Sequence, residues 1–139
     1  MKRSALIPML LESQEEFGCL NPECIEEISR ILEIPEIDVR EVISFYSMLR
    51  TSPVGKFHIQ VCTNISCLLL HGETILEHLS KKLGIKPGEI TPDRRFSLAE
   101  VECLGACCNA PAMQVNNVYY EDLTLERADQ ILEELNARG

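Results

Sequence analysis

The stretch Phe57-His58-Ile59-Gln60-Val61-Cys62-Thr63-Asn64-Ile65-Ser66-Cys67 decides how this chain folds. Phe57, Ile59 and Val61 alternate with His58 and Gln60, the two-residue period of a strand with one apolar face. That strand delivers Cys62 at its end, and a short polar run then reaches Cys67. The device repeats downstream, where a strand over 96–102 delivers Cys103 and Cys107 follows in the next loop. Between the two strands, Ile75, Leu76, Leu79 and Leu83 recur at helical spacing over 72–83, with Gly84 as the stop. A loop over 85–92, rich in Pro and Gly, leads to the second strand. Beyond Cys107, residues 112–115 and 118–121 form a hairpin across Asn116-Asn117, two residues that tolerate left-handed backbone. A closing helix over 124–136 gathers Ala128, Ile131, Leu132 and Leu135 on one face.

Strand, helix, strand, strand, helix is the order of a thioredoxin-like sheet with helices packed on it. Both cysteine pairs begin where a strand ends. If the two strands are neighbours running the same way, the pairs meet on one rim, the edge where open α/β sheets gather ligand sites. The first half of the chain reads differently. Asn21-Pro22 is an N-cap with proline at the first helical position, and Ile25, Ile28, Ile31 and Leu32 follow at helical spacing. Ile34-Pro35 breaks that helix. A third helix presents Val39, Val42, Ile43, Tyr46 and Leu49 as one stripe, and 5–17 supplies a first helix if Pro8 lies in its opening turn. Phe45 and Tyr46 read as bundle core and partner contact. Thr51-Ser52-Pro53-Val54-Gly55 punctuates the two halves. The expected fold class is therefore α/β (α+β), with a helical bundle over 1–54 and a thioredoxin-like domain over 55–139.

Cys62 and Cys67 have four residues between them, and Cys103 and Cys107 three. Four thiolates delivered two at a time suit a centre that wants four sulfur ligands. Zinc ribbons usually space each pair by two residues, around one small tetrahedral ion. The wider gaps here leave room for a larger object, such as a [2Fe–2S] cluster in which each iron takes two thiolates. Two other classes compete: a structural zinc module on the same four sulfurs, and a thiol–disulfide enzyme. The second lacks the Cys-x-x-Cys at a helix start that lowers a thiol pKa. His58, His71 and His78 lack the Cys-x-His spacing of a Rieske centre and read as solvated. Gly105 permits backbone that a side chain would block, and Glu100 and Glu102 place negative charge beside the second pair. Cys19 and Cys24 read as core packing, and Cys108 as a spare thiol beside Cys107.

Seven cysteines in 139 residues is too few, and an odd number, for a disulfide framework. Met1-Lys2-Arg3 and the apolar run to Leu11 imitate a signal peptide, but Pro8 interrupts the run and no small-residue cleavage site follows. A reducing, intracellular setting is the expectation, where clustered cysteines serve metals or catalysis. No run approaches the roughly 20 apolar residues of a membrane span. The formal charge is −9, with ten acids against five bases in 1–54 and twelve against eight in 55–139. Phosphate backbones would be repelled by both halves, which argues against nucleic acid. A hydrophobic fraction of 45% argues against a disordered acidic chain.

Val101-Glu102-Cys103-Leu104-Gly105-Ala106-Cys107, then Asn109-Ala110-Pro111, resembles the second cluster motif of the E-type subunit family of respiratory NADH:quinone oxidoreductase (complex I). Val61-Cys62-Thr63-Asn64-Ile65-Ser66-Cys67 resembles the first. Ile34-Pro35, Val39, Glu41-Val42 and Phe45-Tyr46-Ser47-Met48 are similar to its helical signature, and Val118-Tyr119-Tyr120-Glu121-Asp122-Leu123 to its C-terminal hairpin. The resemblance spans about residues 5–137. It implies a thioredoxin-like [2Fe–2S] ferredoxin domain behind a helical bundle, with one cluster on Cys62, Cys67, Cys103 and Cys107. It also implies an electron-transfer subunit, not catalytic alone, that docks on a larger subunit carrying FMN and the NADH site. There the cluster exchanges electrons with the flavin, off the main path to quinone. No Gly-rich dinucleotide fingerprint occurs in this chain. The implied location is cytoplasmic, peripheral to the inner membrane through the complex. The same module serves NAD-linked hydrogenases and formate dehydrogenases, the alternative hosts.

Overall fold

The computed structural model describes residues 2–138 and divides into two compact units, Met1–Pro53 and Val54–Gly139. In the first, a 3-10 turn leads into helix α1 (Leu6–Phe17), followed by α2 (Pro22–Leu32) and α3 (Glu36–Phe45). Pro8 lies in the first turn of α1, where backbone N–H groups have no helical acceptor to lose. The side chain of Asn21 accepts from the Cys24 amide at 2.8 Å and starts α2. Glu33, in left-handed backbone, ends it before the Ile34-Pro35 break. Leu10, Leu20, Ile25 and Val39 are fully buried at the centre, with Leu6, Ile28, Leu32, Ile34, Ile43 and Leu49 around them.

Three apolar readings in this unit need correction. Ile31 is 48% exposed, because Ile25, Ile28 and Leu32 already fill the narrow stripe that α2 can bury. Helix α3 stops at Phe45, so Tyr46 and Leu49 do not extend its stripe; Leu49 reaches the core from the segment beyond. Phe45 is 80% exposed and meets Tyr46 edge-on at 5.1 Å, so neither ring is core. Cys19 and Cys24 are free, half-buried thiols.

The second unit is built on a four-stranded sheet in the order β2-β1-β3-β4, from β1 (Phe57–Cys62), β2 (Phe96–Val101), β3 (Met113–Val115) and β4 (Val118–Tyr120). β1 and β2 are parallel, with Phe57 opposite Phe96 and Cys62 opposite Val101. β3 runs antiparallel to both β1 and β4. Three helices complete the unit: α4 (Ile65–Leu69) and α5 (Gly72–Leu83) between β1 and β2, and α6 (Leu125–Ala137) after β4. Ile75, Leu76 and Leu79 of α5 and Ala128, Ile131, Leu132 and Leu135 of α6 join Ile59, Val61, Leu98, Met113 and Val115 in one core. Thr124 caps α6, its side chain accepting from the Arg127 amide at 3.1 Å. Asn116 takes the left-handed turn position in the β3–β4 hairpin.

Alternation along β1 suggested a solvated second face, but all six of its residues are buried. His58 lies 2.8 Å from the Ser97 hydroxyl through Nδ1, and that hydroxyl accepts from the Gly55 amide at 3.0 Å. A buried imidazole needs such a partner. The solvated reading of His58 was wrong.

Candidate metal centre

The parallel register sets the site. With Cys62 opposite Val101, β1 and β2 end level, and the Thr63 amide continues the ladder to the Val101 carbonyl at 3.2 Å. The Cys62 amide donates to Ala112 on the other side at 3.1 Å, and the Cys62 thiol lies 3.8 Å from the Glu102 carbonyl. Thirty-five residues of separation between the pairs are thereby closed at one sheet edge.

The segment after Cys62 is not the open loop that its polar residues suggested. Asn64 accepts from the Ile65 amide at 2.8 Å and caps the short helix α4, which carries Cys67 inward. Asparagine before Ile65-Ser66-Cys67-Leu68-Leu69 is a capping signal that could have been read in the sequence. Cys67 is 2% exposed and packs with Cys62, Ala110 and Ala112. The second couple is exposed. The Cys103 and Cys107 sulfurs stand 4.0 Å apart, and the Gly105 amide donates to the Cys103 sulfur at 3.3 Å. Gly105 holds φ +77 with open space around it, so its role is conformational. Cys107 opens a 3-10 turn, Cys107–Asn109, rather than lying in plain loop. Cys108 is also exposed and free.

The electrostatics tie the couples together. Burial pushes the Cys67 thiol above its ordinary pKa, and Cys62 and Cys107 add to the rise, while a backbone hydrogen bond from Ala112 opposes it. Cys107 is raised first by its hydrogen bond with Cys103 and further by Cys62; the Ser66 hydroxyl pulls the other way. A raised thiol is what a neighbouring sulfur at a shared site produces, because one thiolate disfavours the next. The same crowding favours a cation that takes all their charge at once.

Among the described residues, no three His, Cys, Asp or Glu side chains crowd as closely as ligands around one ion. Two couples on one rim, all sulfur, with an amide donating to the Cys103 sulfur, are a donor set that a two-iron cluster can take, two thiolates to each iron. Of the histidines, His58 is engaged with Ser97, His78 bonds Asp129 at 2.7 Å, and His71 heads α5 in left-handed backbone.

The rim is apolar and acidic. Ile65 and Leu69 are 71% and 74% exposed, with Leu68 and Leu70 beside them. Residues 57–80 and 96–126, which supply every strand and both cysteine segments, contain no Lys or Arg but include Glu73, Glu77, Glu100, Glu102, Glu121, Asp122 and Glu126. Thr63 donates to the Glu100 carboxylate at 2.7 Å and fixes one of these charges beside the first pair.

Known proteins resemble this chain along almost its whole length. The pattern of the family described as thioredoxin-like [2Fe-2S] ferredoxin matches residues 1–136. The second E-type subunit of NADH-quinone oxidoreductase from Rhizobium meliloti is 45% identical over 136 residues, 98% of this chain and 81% of that protein. The E-type subunit of NADH-quinone oxidoreductase from Rickettsia bellii is 47% identical over 135 residues, 96% of this chain and 81% of the relative. Among solved structures, an NAD+-reducing [NiFe]-hydrogenase in the air-oxidized state superposes with TM-score 0.82 at 22% identity. That match covers 96% of this chain but 23% of the hydrogenase chain, and it speaks to fold alone.

Proposed function

This chain belongs to the thioredoxin-like [2Fe–2S] ferredoxin family, and from that premise we propose that Cys62, Cys67, Cys103 and Cys107 hold its one [2Fe–2S] cluster. It is an electron-transfer subunit of an NADH-quinone oxidoreductase, the role its relatives' names carry. The observation that bears most weight is the arrival of two sulfur couples, from strands far apart in sequence, at one edge of the sheet. The bound cluster supplies one-electron exchange without proton chemistry of its own.

The chain's own groups hold and tune the sulfurs. The Gly105 amide donates to Cys103, and the Ala112 backbone and Ser66 hydroxyl act on Cys67 and Cys107. Each donor stabilises negative charge on sulfur, while the acids of the rim oppose it. Cys62 and Cys67 are shielded and Cys103 and Cys107 face outward, which gives electrons a short way to a partner.

That partner is the larger subunit that holds FMN and NADH, so the chain acts only within the complex. The apolar rim of α4, set among acids, fits a partner surface with an apolar centre and basic margin. The four cysteines lie in the second unit, and further partner contact, through the exposed Phe45 and Met48, falls to the first. No helix among the described residues is long and apolar enough to cross a membrane. Association on the cytoplasmic side of the inner membrane would come through the complex. An equivalent place in an NAD-linked hydrogenase or formate dehydrogenase is the second reading. It has shared fold on its side, whereas relatives at 45% and 47% identity favour the first.

Two experiments decide. Replacing Cys62, Cys67, Cys103 or Cys107 singly by Ser should lose or perturb the visible spectrum and the iron and labile sulfide per chain, and Cys19→Ser should leave them intact. Unaltered spectra in all four variants refute the ligand set. Purification of the native complex should bring down a flavin-bearing subunit; companion hydrogenase or formate dehydrogenase subunits would establish the second reading.

A further inference from the structure

Cys107 and Cys108 are adjacent, exposed, free thiols in one 3-10 turn, and it is the Cys107 sulfur that stands 4.0 Å from that of Cys103. Consecutive residues of such a turn point about 120° apart, so a twist of one residue exchanges them. Burial does not prevent that twist, since Cys103, Gly105, Cys107, Cys108 and Asn109 are all exposed. Gly105, with open space around it, can absorb the backbone change. Something else must hold the register.

A two-way clasp does so. The Asp122 amide donates to the Asn109 carbonyl at 2.8 Å, and the Asn109 side-chain amide donates to the Asp122 carboxylate at 3.1 Å. The Asn109 amide also closes the turn on Ala106 at 3.1 Å. Asp122 sits just past β4 at φ +49, and the next amide, Leu123, is tied to Pro111 at 3.1 Å. Leu123 itself is core. The clasp therefore anchors an exposed cysteine turn to a buried part of the second unit.

We infer that Asn109 and Asp122 are positioning residues that select Cys107, and not Cys108, as the fourth sulfur of the site. This rests on the ligand set proposed above. Cys107 then sits 4.0 Å from Cys103 because the turn cannot rotate, rather than because Cys108 is chemically unfit.

The test uses the cluster-loaded protein. Asp122→Gly removes the carboxylate but suits a left-handed position, so the turn and its backbone bond remain. Loss of one exposed charge-assisted bond should shift the balance between the two thiols several-fold. The expected result is a second paramagnetic species in the reduced protein, absent from wild type. Adding Cys108→Ser should return the spectrum to one species, and Asp122→Asn, which can still accept from Asn109, should suppress the second one. A single unchanged species in both Asp122→Gly and Asn109→Ala overturns the inference. So does a mixture that persists when Cys108 is replaced. If the ligand set itself is wrong, Cys107→Ser alone will leave the wild-type spectrum, a result that separates the two failures.

Discussion

Ile59→Ala is the sharpest test of how the second unit is held together. Ile59 is at the middle of the central strand, 0% exposed, with Leu98 across β2 and Val115 across β3 as register partners. The substitution removes three carbons, worth about 2.4 kcal/mol at ~0.8 kcal/mol per buried carbon. Both sheet neighbours are bonded in place, so the hole cannot close fully, and the cavity raises the cost to about 3–4 kcal/mol. Against a domain stability of roughly 5–15 kcal/mol this is a large fraction. In a domain of this size each kcal/mol lowers the melting temperature by roughly 4–8 °C, which predicts a fall of ~12–32 °C. Ile65→Ala is the control: the same side chain, 71% exposed, should change stability by less than about 0.5 kcal/mol. Urea unfolding of the cluster-loaded protein, followed by far-ultraviolet circular dichroism and by the visible bands, measures both. A loss below about 1 kcal/mol for Ile59→Ala, or equal losses for the two variants, would show that the described core does not carry the fold.

Three further outcomes follow from other parts of the second unit. Gly55→Ala would place a Cβ 2.5 Å from the Phe96 carbonyl carbon and 2.8 Å from the Ser97 nitrogen, both backbone, so it should destabilise the unit by about 1–3 kcal/mol in the same urea assay. Asp129 is held below the ordinary aspartate pKa, chiefly by its hydrogen bond from His78 and then by Lys82. Its depressed folded pKa means the contribution is complete above the unfolded value and is lost as pH falls through the folded one. Thermal melts of wild type and Asp129→Asn should therefore differ at neutral pH and converge in acid below about 4; a constant gap contradicts the pairing. In metal-free protein, maleimide labelling read by mass spectrometry should reach Cys103, Cys107 and Cys108 well before Cys62 and Cys67, which are each 2% exposed, with Cys67 slowed further by its raised pKa. Equal rates at all five would deny the shielded and open halves of the site.

Much of the fold was legible because its signals are local. Alternation in Phe57-His58-Ile59-Gln60-Val61, the Gly84 stop and the Ala128-Ile131-Leu132-Leu135 face each lie within one element, and the elements formed where they pointed. Asn21-Pro22 started its helix for the same reason. The misreadings share a different cause. His58 and Gln60 look solvent-facing by period, yet burial on the second face of β1 is decided by what packs there, not by the strand itself. Ile31 and Tyr46 fit a helical period but fall outside the stripe that the small bundle can cover. Helix α4 was missed because five residues give too short a period to detect, leaving Asn64 as its one local mark.

Residue types and spacing alone determined that four thiols come in two wide-set couples, each at the end of a strand, in a chain with a formal charge of −9. Chemistry of that kind resides in single side chains and survives without coordinates. Only the tertiary structure decided that β1 and β2 are parallel neighbours ending level, that one couple is buried and the other open, and that Asn109 and Asp122 clasp the turn between the adjacent thiols. Those facts depend on pairing across tens of residues, where the free energy comes from strand ladders and a shared core that no local window contains.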